Sequence, residues 1–159
     1  MKTTAHLLIF FMLASTTLIA QEIEENAIRE VIEGETNAWL ERDYDKWAEH
    51  WGHTPYAYFS VTMNEYIEYA DGWDNISAHM KQSMAQNPPV DGEMNVDRSE
   101  WHYKITDNLA WARFNQSTNN GVMLKEQRVL EKMDGQWKIV NMTTVNPSSY
   151  PVEARNPEP

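Results

Sequence analysis

The chain has 159 residues, no cysteine, 13 basic and 24 acidic side chains, and a net charge of −11. That length is one domain. The missing cysteine removes disulfides, thiolate nucleophiles and cysteine-ligated zinc or iron–sulfur centres, and the acidity argues against nucleic acid and anionic membrane surfaces as partners. Seven Trp, seven Tyr and 42% hydrophobic residues argue against disorder.

Residues 1–20 read as a signal peptide. Lys2 gives a basic start, Leu7 to Ala20 is apolar apart from Ser15, Thr16 and Thr17, and the small residue Ala20 precedes Gln21. The stretch is short for a membrane span, which needs about 20 apolar residues. No cysteine follows, which excludes a lipid-anchored product. The expected product is exported, periplasmic or secreted, and free of the membrane once the leader is removed, the alternative being an uncleaved N-terminal anchor. It keeps 139 residues and, having lost Lys2, carries a charge of −12.

Glu22 to Arg42 reads as a helix, with Ile28, Val31, Ile32, Glu35 and Trp39 at helical spacing and acids in its first turns. Asp43 caps a second, short helix that buries Tyr44, Trp47, Ala48 and Trp51 and ends at Gly52. Thr54 to Met63 alternates as a strand, Asn64 marks a turn and Glu65 to Ala70 a second strand. After Asp71-Gly72, Trp73, Ile76, Met80 and Met84 define a third helix, which Asn87-Pro88-Pro89 stops. Strands follow over Met94–Ile105, Leu109–Ser117, Val122–Met133 and Gln136–Val145. Asp107-Asn108, Asn119-Asn120-Gly121 and Asp134-Gly135 are the hairpin turns between them. The domain is expected over 21–146, and 147–159 reads as a proline-rich tail.

A two-residue turn at Asp134-Gly135 predicts the pairs Lys132/Trp137, Leu130/Ile139, Arg128/Asn141 and Glu126/Thr143 on one face of the sheet. A turn at Asp107-Asn108 predicts Ile105/Ala110, Tyr103/Ala112 and Trp101/Phe114 facing the helices. The reverse face then carries Lys104/Trp111, His102/Arg113 and Glu100/Asn115, and is either solvated or a subunit contact. A one-residue slip inverts such assignments.

With the elements in this order, the sequence resembles the nuclear transport factor 2-like superfamily, in its SnoaL-like branch. The carrying segments are residues 38–47 (AWLERDYDKW), 72–76 (GWDNI), 107–111 (DNLAW) and 134–140 (DGQWKIV), and the resemblance spans about residues 23–146. It implies an α+β fold: a curved antiparallel sheet wrapped around three helices from the N-terminal half, as a cone with a pocket in its open end. It also implies a homodimer formed through sheet surfaces. The superfamily holds isomerases, dehydratases, cyclases, hydrolases and non-catalytic binding or assembly domains, so it names no single activity.

Three sets of residues are candidates for chemistry. His50 and His53, followed by Tyr56 and Tyr58, suit a general base with phenolic donors, and His79 beside the Ile76/Met80/Met84 stripe is a second candidate base. The same histidines also fit structural or solvent-facing positions, or a metal shared with a carboxylate. Their spacing matches no metal motif, so no metal and no cofactor are expected. Arg128, Asn141, Glu126 and Thr143 form a polar group beyond Leu130/Ile139, either orienting a carboxylate or carbonyl or forming an Arg–Glu pair on a solvated or dimer face. Trp51, Tyr56 and Trp73 belong to an aromatic surplus that suits a pocket wall as well as a core. The expected catalytic set is His53, His79 and Tyr58. The expected binding set is Trp51, Tyr56, Trp73, Arg128, Asn141 and Thr143. The partner expected is a small, partly apolar organic molecule, with acid–base catalysis or a purely interacting domain as alternatives.

Overall fold

A computed structural model of the chain describes residues 3–63, 66–87, 89, 95–118 and 121–147, with side chains from residue 19 onward. The turn expected at Asn64, the Asn119-Asn120 part of a hairpin turn, Pro88 of the helix stop and the tail beyond Pro147 lie outside the described residues.

The elements run α1 (Thr3–Glu41), α2 (Tyr44–Glu49), β1 (Tyr58–Met63), β2 (Tyr66–Asp71), α3 (Trp73–Gln86), β3 (Val96–Ile105), β4 (Leu109–Thr118), β5 (Met123–Met133) and β6 (Gln136–Val145). α1 starts well before the expected Glu22, because nothing between Leu7 and Glu22 breaks a helix. Among the described residues, no helix is long and apolar enough to cross a membrane. Arg42, with φ of 61°, ends α1, and the Asp43 amide turns back to the Ala38 carbonyl. The Asp43 carboxylate then caps α2 by accepting from the Lys46 amide. Gly72 opens α3 at φ 77°, where a Cβ would meet the Pro55 carbonyl oxygen at 3.2 Å. Glycine is required there for both backbone angle and space.

The six strands form one open sheet in the order β2-β1-β6-β5-β4-β3. It is mixed, which corrects the antiparallel expectation: β1 runs parallel to β6, with Tyr58 opposite Asn141 and Ser60 opposite Thr143. The parallel contact begins earlier, where the Gly52 amide donates to the Ile139 carbonyl and the Ile139 amide to the His50 carbonyl. Residues 53–57 then leave the sheet, so β1 starts at Tyr58 and not at Thr54.

Two bulges decide which residues share a face. From the Asp134-Gly135 turn, Lys132/Trp137 and Leu130/Ile139 pair as expected. The register then shifts between Leu130 and Val129, so that Val140 has no opposite partner, Arg128 faces Met142 and Glu126 faces Thr144. In β3 the register shifts between His102 and Ser99, with Glu100 at φ 53°. Ile105/Ala110 and Tyr103/Ala112 pair as expected, whereas Ser99, not Glu100, lies opposite Asn115.

The inner face of the sheet carries Ala110, Ala112, Phe114, Leu130, Ile139 and Phe59 against Ile28 and Ile32 of α1, Trp47 of α2, and Ile76, Met80 and Met84 of α3. Alternation gives the outer face Trp111, Val129, Asn141 and Tyr58 as one row across four strands.

Candidate functional site

Toward the C-terminal half of α1 the inner face changes from apolar to polar. Arg128, 2% exposed, donates from Nη1 to Glu126 Oε2 at 2.7 Å and to the Gln127 carbonyl at 3.0 Å. Glu126 Oε2 also accepts from the Thr144 hydroxyl at 2.7 Å. On α1 the buried Glu35 accepts from the Trp47 indole at 2.6 Å. Thr36 donates back to the Ile32 carbonyl at 3.0 Å and accepts from Arg98 Nη2 at 2.7 Å. These pairs tie α2 to α1 and α1 to β3.

Aromatic rings floor this region. Trp101 stacks on Phe114 with centroids 4.2 Å apart and on Tyr103 at 5.6 Å. Three of the chain's six arginines lie against this ladder. Arg29 sits 4.7 Å from the Trp101 ring centre, and Arg98 and Arg128 sit 5.7 and 5.8 Å from that of Phe114. The bulge in β3 turns Arg98 to the side of Trp101, and the 3.6-residue period of α1 places Arg29 one turn before the core residue Ile32.

The polar satisfaction of this wall is incomplete. Nε of Arg29, Arg98 and Arg128, Nε1 of Trp101, the Tyr103 hydroxyl and Gln116 Oε1 are all buried without a hydrogen-bond partner. Buried polar atoms in folded proteins are normally paired. Burial, and then the Arg128 charge, pull the Arg98 guanidinium below its ordinary pKa, and burial raises that of the Tyr103 phenol. Among the described residues neither Arg29 nor Arg98 has a carboxylate oxygen within 4.0 Å.

The residues expected from sequence divide sharply. Arg128 is in the wall. Asn141 and Thr143 are not: the Val140 bulge moves them to the outer face, where they lie 3.4 Å from each other, and Met142 and Thr144 take the inner positions. Tyr58 also faces outward, opposite Asn141. His53 is exposed, stacked on Trp73 at 3.9 Å with its Nε2 on the Ala48 carbonyl at 3.0 Å. His79 sits at the rim, 3.7 Å from Glu68 and tilted against Phe59. Tyr56 is exposed and donates to Glu131 at 2.7 Å. Trp51 and Trp73 pack with Trp47 in a core cluster, at 5.3 and 5.9 Å from it. Thus His53, His79 and Tyr58 do not converge on one point.

A recess of about 500 Å³ lies at the other end of the sheet. It is bounded by α1 from Ile23 to Val31, by Glu49 and His50, and by the β5–β6 turn. Glu24 is clamped there by Lys132 at 2.8 Å and by the Trp137 indole at 2.6 Å, and these hydrogen bonds lower its carboxyl pKa. Burial, and then Lys138, lower that of His50.

The architecture matches solved structures. An NTF2-like protein of unknown function from Pseudomonas putida superposes with a TM-score of 0.62 at 15% identity, over 78% of this chain and 87% of that one. The chain has the NTF2-like fold. A proposed dehydratase of the NTF2-like family from Streptomyces avermitilis gives a TM-score of 0.61 at 10% identity, covering 79% of this chain and 97% of that one. A proposed ketosteroid isomerase from Parabacteroides distasonis gives 0.56 at 18% identity, covering 73% and 84%. No protein-family model and no curated protein matches the sequence. In this NTF2-like chain the wall of Arg29, Arg98 and Arg128 occupies the concave side of the sheet, between α1 and β3–β5. Sequence reasoning found only Arg128 of the three. Arg98 left no legible signal, because alternation groups it with Glu100, His102 and Lys104, and only the bulge in β3 turns it to the side of Trp101 and Tyr103.

Proposed function

We propose that this NTF2-like, SnoaL-like domain is exported and binds a small, partly apolar organic molecule on the concave wall of its sheet. The observation that carries the reading is the wall itself: stacked aromatic rings beside buried polar atoms that lack partners. A partly apolar ligand would stack on the rings and complete those hydrogen bonds. Those unpartnered atoms are themselves buried, so a ligand that reaches them requires a side chain to move. Arg98, held to α1 through the Thr36 hydroxyl alone, has the least to give up.

Two of the structural neighbours carry the names of enzymes, a dehydratase and an isomerase. Here both inner carboxylates already accept short hydrogen bonds, Glu35 from Trp47 and Glu126 from Arg128 and Thr144. The expected base and donor groups, His53, His79 and Tyr58, do not converge on one point, so binding is the better-supported role. A thermal-shift screen across lipids, steroids, aromatic compounds and sugar acids tests it. A hit that raises the melting temperature with a saturable dose response is the expected outcome, and a flat response across all four classes would sink it.

Export and dimerisation belong to the same proposal. The leader over residues 1–20 supports export. The half-exposed outer row of Trp111, Val129, Asn141 and Tyr58, edged by His102 and Arg113, supports a homodimer through the sheet. Native mass spectrometry of protein recovered from its host reads both. The expected species is a dimer of chains beginning at Gln21. A chain that keeps Met1 or Lys2 argues against cleavage, and a monomer at micromolar concentration argues against the interface.

A further inference from the structure

We propose that the ligand of the concave wall is an organic acid, with its carboxylate held by Arg98 and Arg29 and its apolar body on the Trp101–Phe114 stack. This rests on the binding role argued above and narrows it to one chemical class.

The unpartnered atoms are unequal in kind. Three guanidinium Nε–H groups and the Trp101 indole N–H can only donate, whereas Gln116 Oε1 accepts and the Tyr103 hydroxyl does either. The wall therefore lacks acceptors above all. Its charges point the same way. Arg128 has Glu126 at 2.7 Å, but Arg98 has only a neutral hydroxyl as its hydrogen-bond partner, and Arg29 lies on a ring face with no carboxylate oxygen within 4.0 Å. Charges drawn out of water are normally paired, and neither of these half-buried guanidiniums has a carboxylate oxygen within 4.0 Å, although Glu33, Glu35 and Glu126 act on Arg98 at longer range. A carboxylate supplies what is missing, since its planar oxygens match the guanidinium fork. The neighbouring rings suit an aromatic or short aliphatic body, and Gln116 Oε1 can accept from a hydroxyl on the same ligand.

The test compares benzoate, phenylacetate and hexanoate with benzamide, phenylacetamide and hexanamide, by calorimetry on the mature chain at pH 7. Each amide keeps the shape and loses the charge. The acids are expected to bind at least about tenfold more tightly than their amides, the size of a charge-assisted hydrogen bond. Arg98→Gln is expected to remove that difference by weakening the acids more than the amides, with the circular dichroism spectrum unchanged, and Arg29→Gln to reduce it. The wild-type comparison stands even if a variant misfolds. Equal binding of acids and amides overturns the acid assignment while leaving the binding role intact. Preference for acids that survives Arg98→Gln overturns the site. A protein that binds none of the six compounds overturns the acid assignment, and only a flat response in the wider screen removes the binding role with it.

Discussion

Replacing Glu126 with leucine should destabilise the protein by about 3–5 kcal/mol, a large part of the roughly 5–15 kcal/mol that holds a domain together. Glu126 is the carboxylate paired with Arg128 within 4.0 Å, both are about 2% exposed at the side chain, and the Thr144 hydroxyl depends on the same oxygen. Removing it leaves a guanidinium charge in a region that water hardly reaches, with only the Gln127 carbonyl to answer it. The cost comes from the stranded charge and not from a strong attraction lost, because desolvation consumes most of what a buried pair gains. The double variant Glu126→Leu/Arg128→Met should therefore recover most of the loss. Urea unfolding of the two single variants and the double one, completed as a cycle, gives the coupling directly. A single-variant cost below about 1 kcal/mol would mean that Arg128 is hydrated, and would remove the argument that this wall is dry.

The pairing of Glu126 and Arg128 also marks how far the sequence could be read. The Asp134-Gly135 turn sets the register correctly through Leu130/Ile139, and alternation puts both charged residues on the inner face, where they are. The next step fails at Val140. A valine among other strand formers gives no sign that it will bulge, yet the bulge exchanges Asn141 and Thr143 for Met142 and Thr144 on that face. The parallel pairing of β1 with β6 was illegible for a different reason. It joins strands about 80 residues apart with no turn between them, so local pattern carries no signal. The direction of the histidines was illegible because spacing says nothing about it: Gly52 lets the chain leave α2, and His53 then turns onto Trp73 at the surface. Arg29 was hidden in a helix dense with charges, where Ile28 and Ile32 mark the buried side but nothing separates Arg29 from the solvated residues around it.

Trp47→Ala should cost about 3–5 kcal/mol, the usual loss for a fully buried indole. Trp47 is 0% exposed, lies 5.3 Å from Trp51 and 5.9 Å from Trp73 by ring centroid, and donates to Glu35. The more informative variant is Trp47→Phe. It keeps most of the apolar contact and removes the indole N–H, which leaves buried Glu35 Oε1 without its 2.6 Å donor. That unmet acceptor should cost about 1–3 kcal/mol, and adding Glu35→Met should return most of it by removing the orphaned group. Urea unfolding of the two singles and the double one checks both steps, and a Trp47→Phe variant that is neutral would show that the indole serves by volume alone. The same variant reaches the wall indirectly. Glu35 lies beside Thr36, whose hydroxyl holds Arg98. Freeing Glu35 to turn toward Arg98 would give that guanidinium an internal carboxylate. Trp47→Phe should then weaken the binding of benzoate while leaving benzamide unaffected, although Trp47 touches neither ligand.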